Sequence, residues 1–231
     1  MGQIHLLRHG QASLAAADYD QLSPLGQLQC QRLGAYWQAR GRRFDAVLTG
    51  TLRRHAQSLA ALGETLPGLP APEICPALDE YDTAALLAAW PVAEAGSDTR
   101  PARPPQTPEA VRAYFRHLRE ALLAWMDGRS RPQGMASYAE FEAGMAALLA
   151  RLQVEQGPQA QVLIVSSGGP ISTALGWVLG LAPAARIELN LQLRNSALSQ
   201  LLLSPQRLAL QGFNAMPHLD APGDEALHSH A

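Results

Sequence analysis

Four short stretches of this 231-residue chain place residues that can handle charge at or just past an apolar run. The run "HLLRHG" (5–10) stops on Arg8, His9 and Gly10, and "VLIVSSGG" (162–169) stops on Ser166, Ser167, Gly168 and Gly169. Arg54 lies just past "FDAVLTG" (44–50), and Glu80 lies in "EICPALDEY" (73–81). If these ends converge, they assemble two guanidiniums, one imidazole, one carboxylate and a glycine turn that opens a helix. Arginine is charged at every working pH, and its planar fork matches phosphate oxygens. Free N–H groups at a helix start favour anions, and Gly10 and Gly168 let backbone come close to a ligand. The set suits a phosphoryl group. Neutral imidazole is a good nucleophile near pH 7, so in-line attack by His9 on phosphorus would give a phosphohistidine. Glu80, if protonated, would give a proton to the leaving oxygen, and water would then hydrolyse the intermediate. Only the loop acids Asp79 and Asp82 accompany Glu80, so the expectation is chemistry with no metal and no other cofactor.

The elements that must position these groups alternate between strand and helix. "QIHLLR" (3–8) suits a buried parallel strand. A helix then starts at Pro24 behind the cap Ser23 and stops before Gly41. "FDAVLTG" (44–50) is a second strand, 51–66 a helix, and 73–81 leads to a third strand end. Residues 91–108, rich in Pro, Arg and Ala, read as a flexible loop. Two amphipathic helices follow at 107–128 and 137–157, the second with a Ser137/Glu140 capping box. No strand separates them, so 83–156 reads as a helical insertion. "QVLIVSS" (161–167) is the most apolar strand, 168–181 the next helix, and 196–203 with 207–214 a terminal hairpin turning at Ser204-Pro205-Gln206. This predicts one α/β domain over 1–219, a three-layer sandwich whose mostly parallel sheet is flanked by helices, and a polar, disordered tail over 220–231. Ligands of such sheets gather outside the carboxyl ends of the strands, where the four stretches fall.

Composition narrows the partners. A net charge of −2 gives no global basic field for nucleic acid. No run reaches the ~18 apolar residues of a membrane helix, and no secretory pattern opens the chain. Cytoplasmic location and a small phosphorylated substrate are the expectation, and no oligomeric state is specified. Cys30 and Cys75 read as incidental thiols rather than a disulfide framework. The basic runs "RGRRF" and "RPARPP" and the tail pair His228 and His230 read as solvated surface.

"LLRHGQA", "LSPLGQLQCQRLG", "GTLRRHAQS" and "ALDEYD", followed by "SYAEFEAGM", "VLIVSSGGPI" and "FNAMPHL", resemble the successive signatures of the histidine phosphatase superfamily, the phosphoglycerate mutase-like fold, over about 3–219. The resemblance implies that His9 is the phosphorylated nucleophile, that Arg8 and Arg54 bind phosphate, and that Glu80 is the acid. Its substrate-recognising elements would lie between the third strand and the last catalytic strand. The chain also departs from the pattern. The family's later strand usually ends Ser-His-Gly-Gly, and here the histidine's place holds Ser167. Losing one preorganised donor costs ~3 kcal/mol, or about a hundredfold in rate. A histidine acid phosphatase-like enzyme of lowered turnover is one reading, and a phosphate-ester binding or regulatory protein of the same fold is another. A phosphomutase fits less well, because the mutase branch's polar positions hold Ala12 and Ala15. For the missing donor, Ser166 and Ser167 acting together is the preferred account. His55 and His218 are the other candidates, although successive helix residues such as Arg54 and His55 point about 100° apart.

Overall fold

The computed structural model describes residues 1–13, 20–91 and 107–230. Its six-stranded sheet consists of β1 (Gly2–Arg8), β2 (Ala46–Thr49), β3 (Glu73–Ile74), β4 (Gln161–Ser166), β5 (Leu198–Leu203) and β6 (Leu208–Ala215), in the spatial order β3-β2-β4-β1-β5-β6. The first four strands in chain order pair in parallel, and β5 and β6 add an antiparallel edge. This is the α/β sandwich that the alternation predicts.

Strand chemistry explains the order. Val162, Leu163, Ile164 and Val165 of β4 are all inaccessible to solvent, and a strand apolar on both faces belongs in the middle of a sheet covered on both sides. Ile4, Leu6, Val162 and Ile164 face one layer, made by α5 (Tyr138–Glu155) and α6 (Gly168–Leu179). Leu7, Val47, Leu163 and Val165 face the other, where α1 (Pro24–Gln38) supplies Leu33 and Trp37 and α2 (Arg53–Gly63) supplies Leu62. Helix starts follow their local signals. The Ser23 hydroxyl accepts from the Gly26 N–H at 3.1 Å with Pro24 in the first turn, and Ser137 and Glu140 form the reciprocal capping box.

Other parts depart from the sequence reading. The α5 helix was placed in an insertion, but Met145, Leu148, Leu149 and Leu152 make it a layer of the sandwich. The helices beside it are α3 (Thr83–Ala89), α4 (Pro108–Met126) and α7 (Pro183–Gln192). They bury Leu86, Leu118, Leu122, Trp125 and Ile187 in a satellite cluster. The short α7 was missed because only Ile187 on it is fully buried, leaving little apolar periodicity to read. Pro76 ends the two-residue β3 and opens a 3₁₀ turn, Pro76–Leu78. Most of the expected loop at 91–108, residues 92–106, lies outside the described residues, as does Ala15. No helix among the described residues is long and apolar enough to cross a membrane.

The tail is the clearest correction. Residues 220–230 were expected to be disordered, yet they return to the sheet end through a 3₁₀ turn at Asp224–Leu227. Ser229 is buried; its hydroxyl donates to Asn195 Oδ1 at 3.0 Å and accepts from Gln29 Nε2 at 3.0 Å. The Gln29 amide also donates to the Leu227 carbonyl at 2.7 Å. Polarity misled because these side chains meet buried polar partners rather than water. Ser229→Ala leaves those partners short of a bond and is expected to cost about 1–3 kcal/mol in urea denaturation, whereas a disordered tail would tolerate it within about 0.5 kcal/mol.

Candidate active site

The sheet register assembles the site. In the β1–β4 ladder Arg8 pairs with Ser166, so His9 and Ser167 leave the sheet side by side at its carboxyl edge. The main chain of His9 is held from two sides, its N–H donating to Ser166 O at 2.9 Å and its carbonyl accepting from Ser196 N–H at 3.1 Å. Ser196 takes a left-handed φ of 57° to do so, unusual for a residue with a side chain. His218 is bonded here, Nε2 to Ser196 Oγ at 2.9 Å, so it supports the backbone behind His9.

The His9 ring is 4% exposed. Its Nδ1 lies 2.7 Å from the Gly10 carbonyl oxygen. A carbonyl only accepts, so Nδ1 carries the proton and Nε2 keeps its lone pair. Burial, then the positive charges of Arg8 and Arg54, then His55, hold the His9 pKa well below its usual value. The ring is therefore neutral at pH 7 and is surrounded by polar groups rather than by apolar core.

Both arginines are held by protein partners. Arg8 donates through Nη1 to the Leu193 carbonyl. Arg54, in the first turn of α2, pairs with Asp20, Nη1 to Oδ1 at 2.9 Å. Asp20 also accepts from the Arg53 backbone N–H at 2.8 Å. The helix's own N-cap residue, Leu52, supplies no side-chain cap, so this distant carboxylate both caps α2 and aims its arginine. The second guanidinium nitrogen of Arg54 donates to Ser167 Oγ at 3.4 Å.

Glu80 stands at the N-terminus of α6, both carboxyl oxygens 3.1 Å from the Gly169 N–H. Burial raises its pKa above the usual carboxylate value, against the opposing pull of that N–H, Arg54 and Arg8. Gly168 begins α6 and is packed against Asn190. Of the adjacent serines, Ser166 spends its hydroxyl on the Leu78 carbonyl at 2.7 Å, so the two do not act as a donor pair. The Ser167 hydroxyl instead meets His55 Nε2 at 2.7 Å.

Gly10 has a different reason from the one expected. A Cβ there would lie 2.3 Å from the Gly26 carbonyl oxygen of α1, and its N–H donates to Ser58 Oγ at 3.1 Å. Helix packing by itself requires the glycine. Sequence reasoning also missed Asp20, Ser58 and Asp79. Each is a lone polar residue whose partner comes from another segment, and no local pattern marks it. Among the described residues no group of three or more His, Cys, Asp and Glu side chains is gathered to hold a metal ion.

The family model described as the histidine phosphatase superfamily (branch 1) matches residues 4–91 and 105–216. The chain belongs to the histidine phosphatase superfamily. Solved structures of similar fold include mycobacterial glucosyl-3-phosphoglycerate phosphatase, at 23% identity and TM-score 0.62, covering 92% of this chain and 98% of that one. The same mycobacterial enzyme with inorganic phosphate is 24% identical at TM-score 0.63, covering 94% and 99%. The phosphoserine phosphatase of Entamoeba histolytica, in complex with 3-phosphoglyceric acid, is 19% identical at TM-score 0.64, covering 95% and 100%. A search of curated proteins gives no match. The superfamily signature that begins with Arg8-His9-Gly10 thus sits on the superfamily's fold.

Burial of histidines gives a pH dependence of stability. It lowers His5 and His218 to about 4 and His55 to about 3, from 6.5, and His9 moves the same way. The unfolded chain takes up these protons below pH ~6.5 and the folded chain does not, so stability is full above that value and falls as pH drops toward 4. His230 is lowered too, and Glu80, raised, acts in the opposite sense as one group against five. The urea midpoint is expected to fall by an amount worth several kcal/mol between about pH 7 and pH 5; an unchanged midpoint contradicts the neutral, buried histidines.

Proposed function

We propose that the chain is a metal-independent phosphomonoester hydrolase acting on a small phosphorylated metabolite through a phosphohistidine at His9. The observation that carries this reading is the tautomer. The 2.7 Å contact from Nδ1 to the Gly10 carbonyl leaves Nε2 as a lone pair in a site charged by Arg8 and Arg54. Two fixed guanidiniums supply the positive charge that the phosphoryl oxygens need.

The steps balance with the groups present. Nε2 attacks phosphorus in line and forms the N–P bond as the ester P–O bond breaks. Glu80, protonated, gives its proton to the leaving oxygen. Water then attacks phosphorus, the N–P bond breaks, and the Glu80 carboxylate takes the proton from that water. A raised carboxyl pKa keeps Glu80 able to donate closer to neutral pH. The ligands named for the structural neighbours, 3-phosphoglyceric acid and inorganic phosphate, are of the class this site would take. One observation favours the second reading, a binding or regulatory protein: Ser167 stands where the superfamily's second histidine is expected.

Hydrolysis of p-nitrophenyl phosphate in EDTA separates the two. The wild type is expected to exceed His9→Ala by at least about a thousandfold, and to yield an acid-labile, alkali-stable phosphoenzyme on brief exposure to substrate. Equal rates in the two proteins favour the binding reading, and an acid-stable phosphoenzyme places the phosphoryl group on another residue. Glu80→Gln should lower kcat/KM about 100-fold or more on alkyl phosphates and far less on p-nitrophenyl phosphate, whose leaving group needs little protonation. An equal loss on both removes the acid role.

A further inference from the structure

Arg54 is the α2 residue expected in the site, and His55 is a candidate for the missing donor that helix spacing turns about 100° from it. The first turn of α2 aims at the site end-on, so both side chains reach it. His55 is fully buried, and its ring centre lies 5.8 Å from that of His9. Its Nε2 is 2.7 Å from Ser167 Oγ. On the far side, His55 Nδ1 faces Asp79 Oδ1 at 3.9 Å, too far for a hydrogen bond, and it has no other hydrogen-bond partner. Asp79 is itself fixed, accepting from the Thr51 backbone N–H and hydroxyl, each at 2.6 Å.

Two further features show that this alignment is built. Ser167 holds the N-cap position of α6, where a serine hydroxyl ordinarily binds the helix's own N–H groups, yet it makes no capping bond. Glu80 takes the Gly169 N–H instead, which leaves the hydroxyl for His55. Gly50 supplies the second feature. A Cβ there would lie 2.4 Å from Asp79 Oδ1 and 2.5 Å from His55 Nδ1, so a side chain at that position would stand between carboxylate and imidazole.

We propose that Ser167, His55 and Asp79 act as one unit that takes the place of the histidine missing from position 167. This rests on the phosphatase reading of His9. Ser167 presents its hydroxyl to a phosphoryl oxygen, and His55, braced by Asp79, is the positioning residue behind it. In the empty site the carboxylate favours the proton on Nδ1, so Nε2 accepts from Ser167. Burial and Arg54 hold the ring neutral, with its pKa lowered to about 3. The charged or titratable groups facing the ring include Arg54, His9 and Asp79, with Arg8 and Glu80 beyond them. A phosphoryl anion between the arginines offsets their repulsion. The single hydroxyl proton then turns to the anion, and the ring, taking one proton from solvent, donates from Nε2 to Ser167 and points Nδ1–H at Asp79. The His55 ring stands 2.7 Å from the Ser167 hydroxyl, on the side where an imidazole at 167 would extend.

The test measures kcat and KM on p-nitrophenyl phosphate for wild type, His55→Ala, Ser167→Ala, the two combined, and the exchange His55→Ala/Ser167→His. Each single variant is expected to lose about a hundredfold in kcat with KM changed less than about threefold. The combined variant should lose no more than either, because both remove the same unit, and the exchange should recover to within about tenfold of wild type. A fully active His55→Ala, losses that multiply, or an exchange no better than His55→Ala overturns the proposal. Ser167→Ala removes one oxygen only, a smaller change to the fold than loss of the His55 ring. Orthovanadate binding, measured calorimetrically on the same proteins, separates this proposal from the phosphatase reading. If wild type hydrolyses esters no faster than His9→Ala but binds vanadate at least about tenfold tighter than His55→Ala, the hydrolase reading fails and the unit stands. Vanadate affinity indifferent to His55 sinks the unit.

Discussion

An imidazole attacks phosphorus only while it is neutral, and burial, reinforced by the guanidiniums that would bind the phosphoryl group, keeps His9 so. Arg8 and Arg54 sit beside a buried His9 and repel its proton. The same two charges oppose the rise in the Glu80 pKa that burial brings about. The surrounding structure holds both cations through protein partners. A backbone carbonyl takes Arg8 and a partly exposed carboxylate takes Arg54. Buried cations of this kind cost several kcal/mol each unless paired and hydrogen-bonded, which explains why the segment carrying Asp20 is tied to the start of α2 by three separate contacts.

Legibility in the sequence followed the range of each interaction. The β4 run, the Ser23-Pro24 helix start and the Ser137/Glu140 box are local patterns, and each produced the element it predicts. Arg8 and His9 could be read because strand end and glycine lie in one stretch, and the β1–β4 register then brought Ser167 beside them. What could not be read depends on partners distant in sequence. Gly10 is set by Gly26 of α1, Ser166 by the Leu78 carbonyl, and the tail by Gln29 and Asn195. His55 was misplaced for a geometric reason. The 100° rule describes a helix seen from the side, whereas α2 meets the site with its tip, where two successive side chains can both reach the same pocket.

The sandwich divides labour between its layers. Apolar contacts on both faces of β4 fix the sheet, and the sheet fixes which loops meet at its carboxyl edge. Several polar side chains at that edge serve both the fold and the site. Ser58 is one of these, since its hydroxyl joins the Gly10 N–H to the Arg54 carbonyl and so links the His9 loop to the Arg54 helix.

Asp79 and Glu80 are consecutive residues on the short segment after the 3₁₀ turn, and they face opposite ways. One reaches toward His55 on α2 and the other caps α6. A single rigid peptide unit joins them. Any displacement of that segment must therefore shift Glu80 and Asp79 together, which makes this step of backbone a mechanical linkage across the mouth of the site.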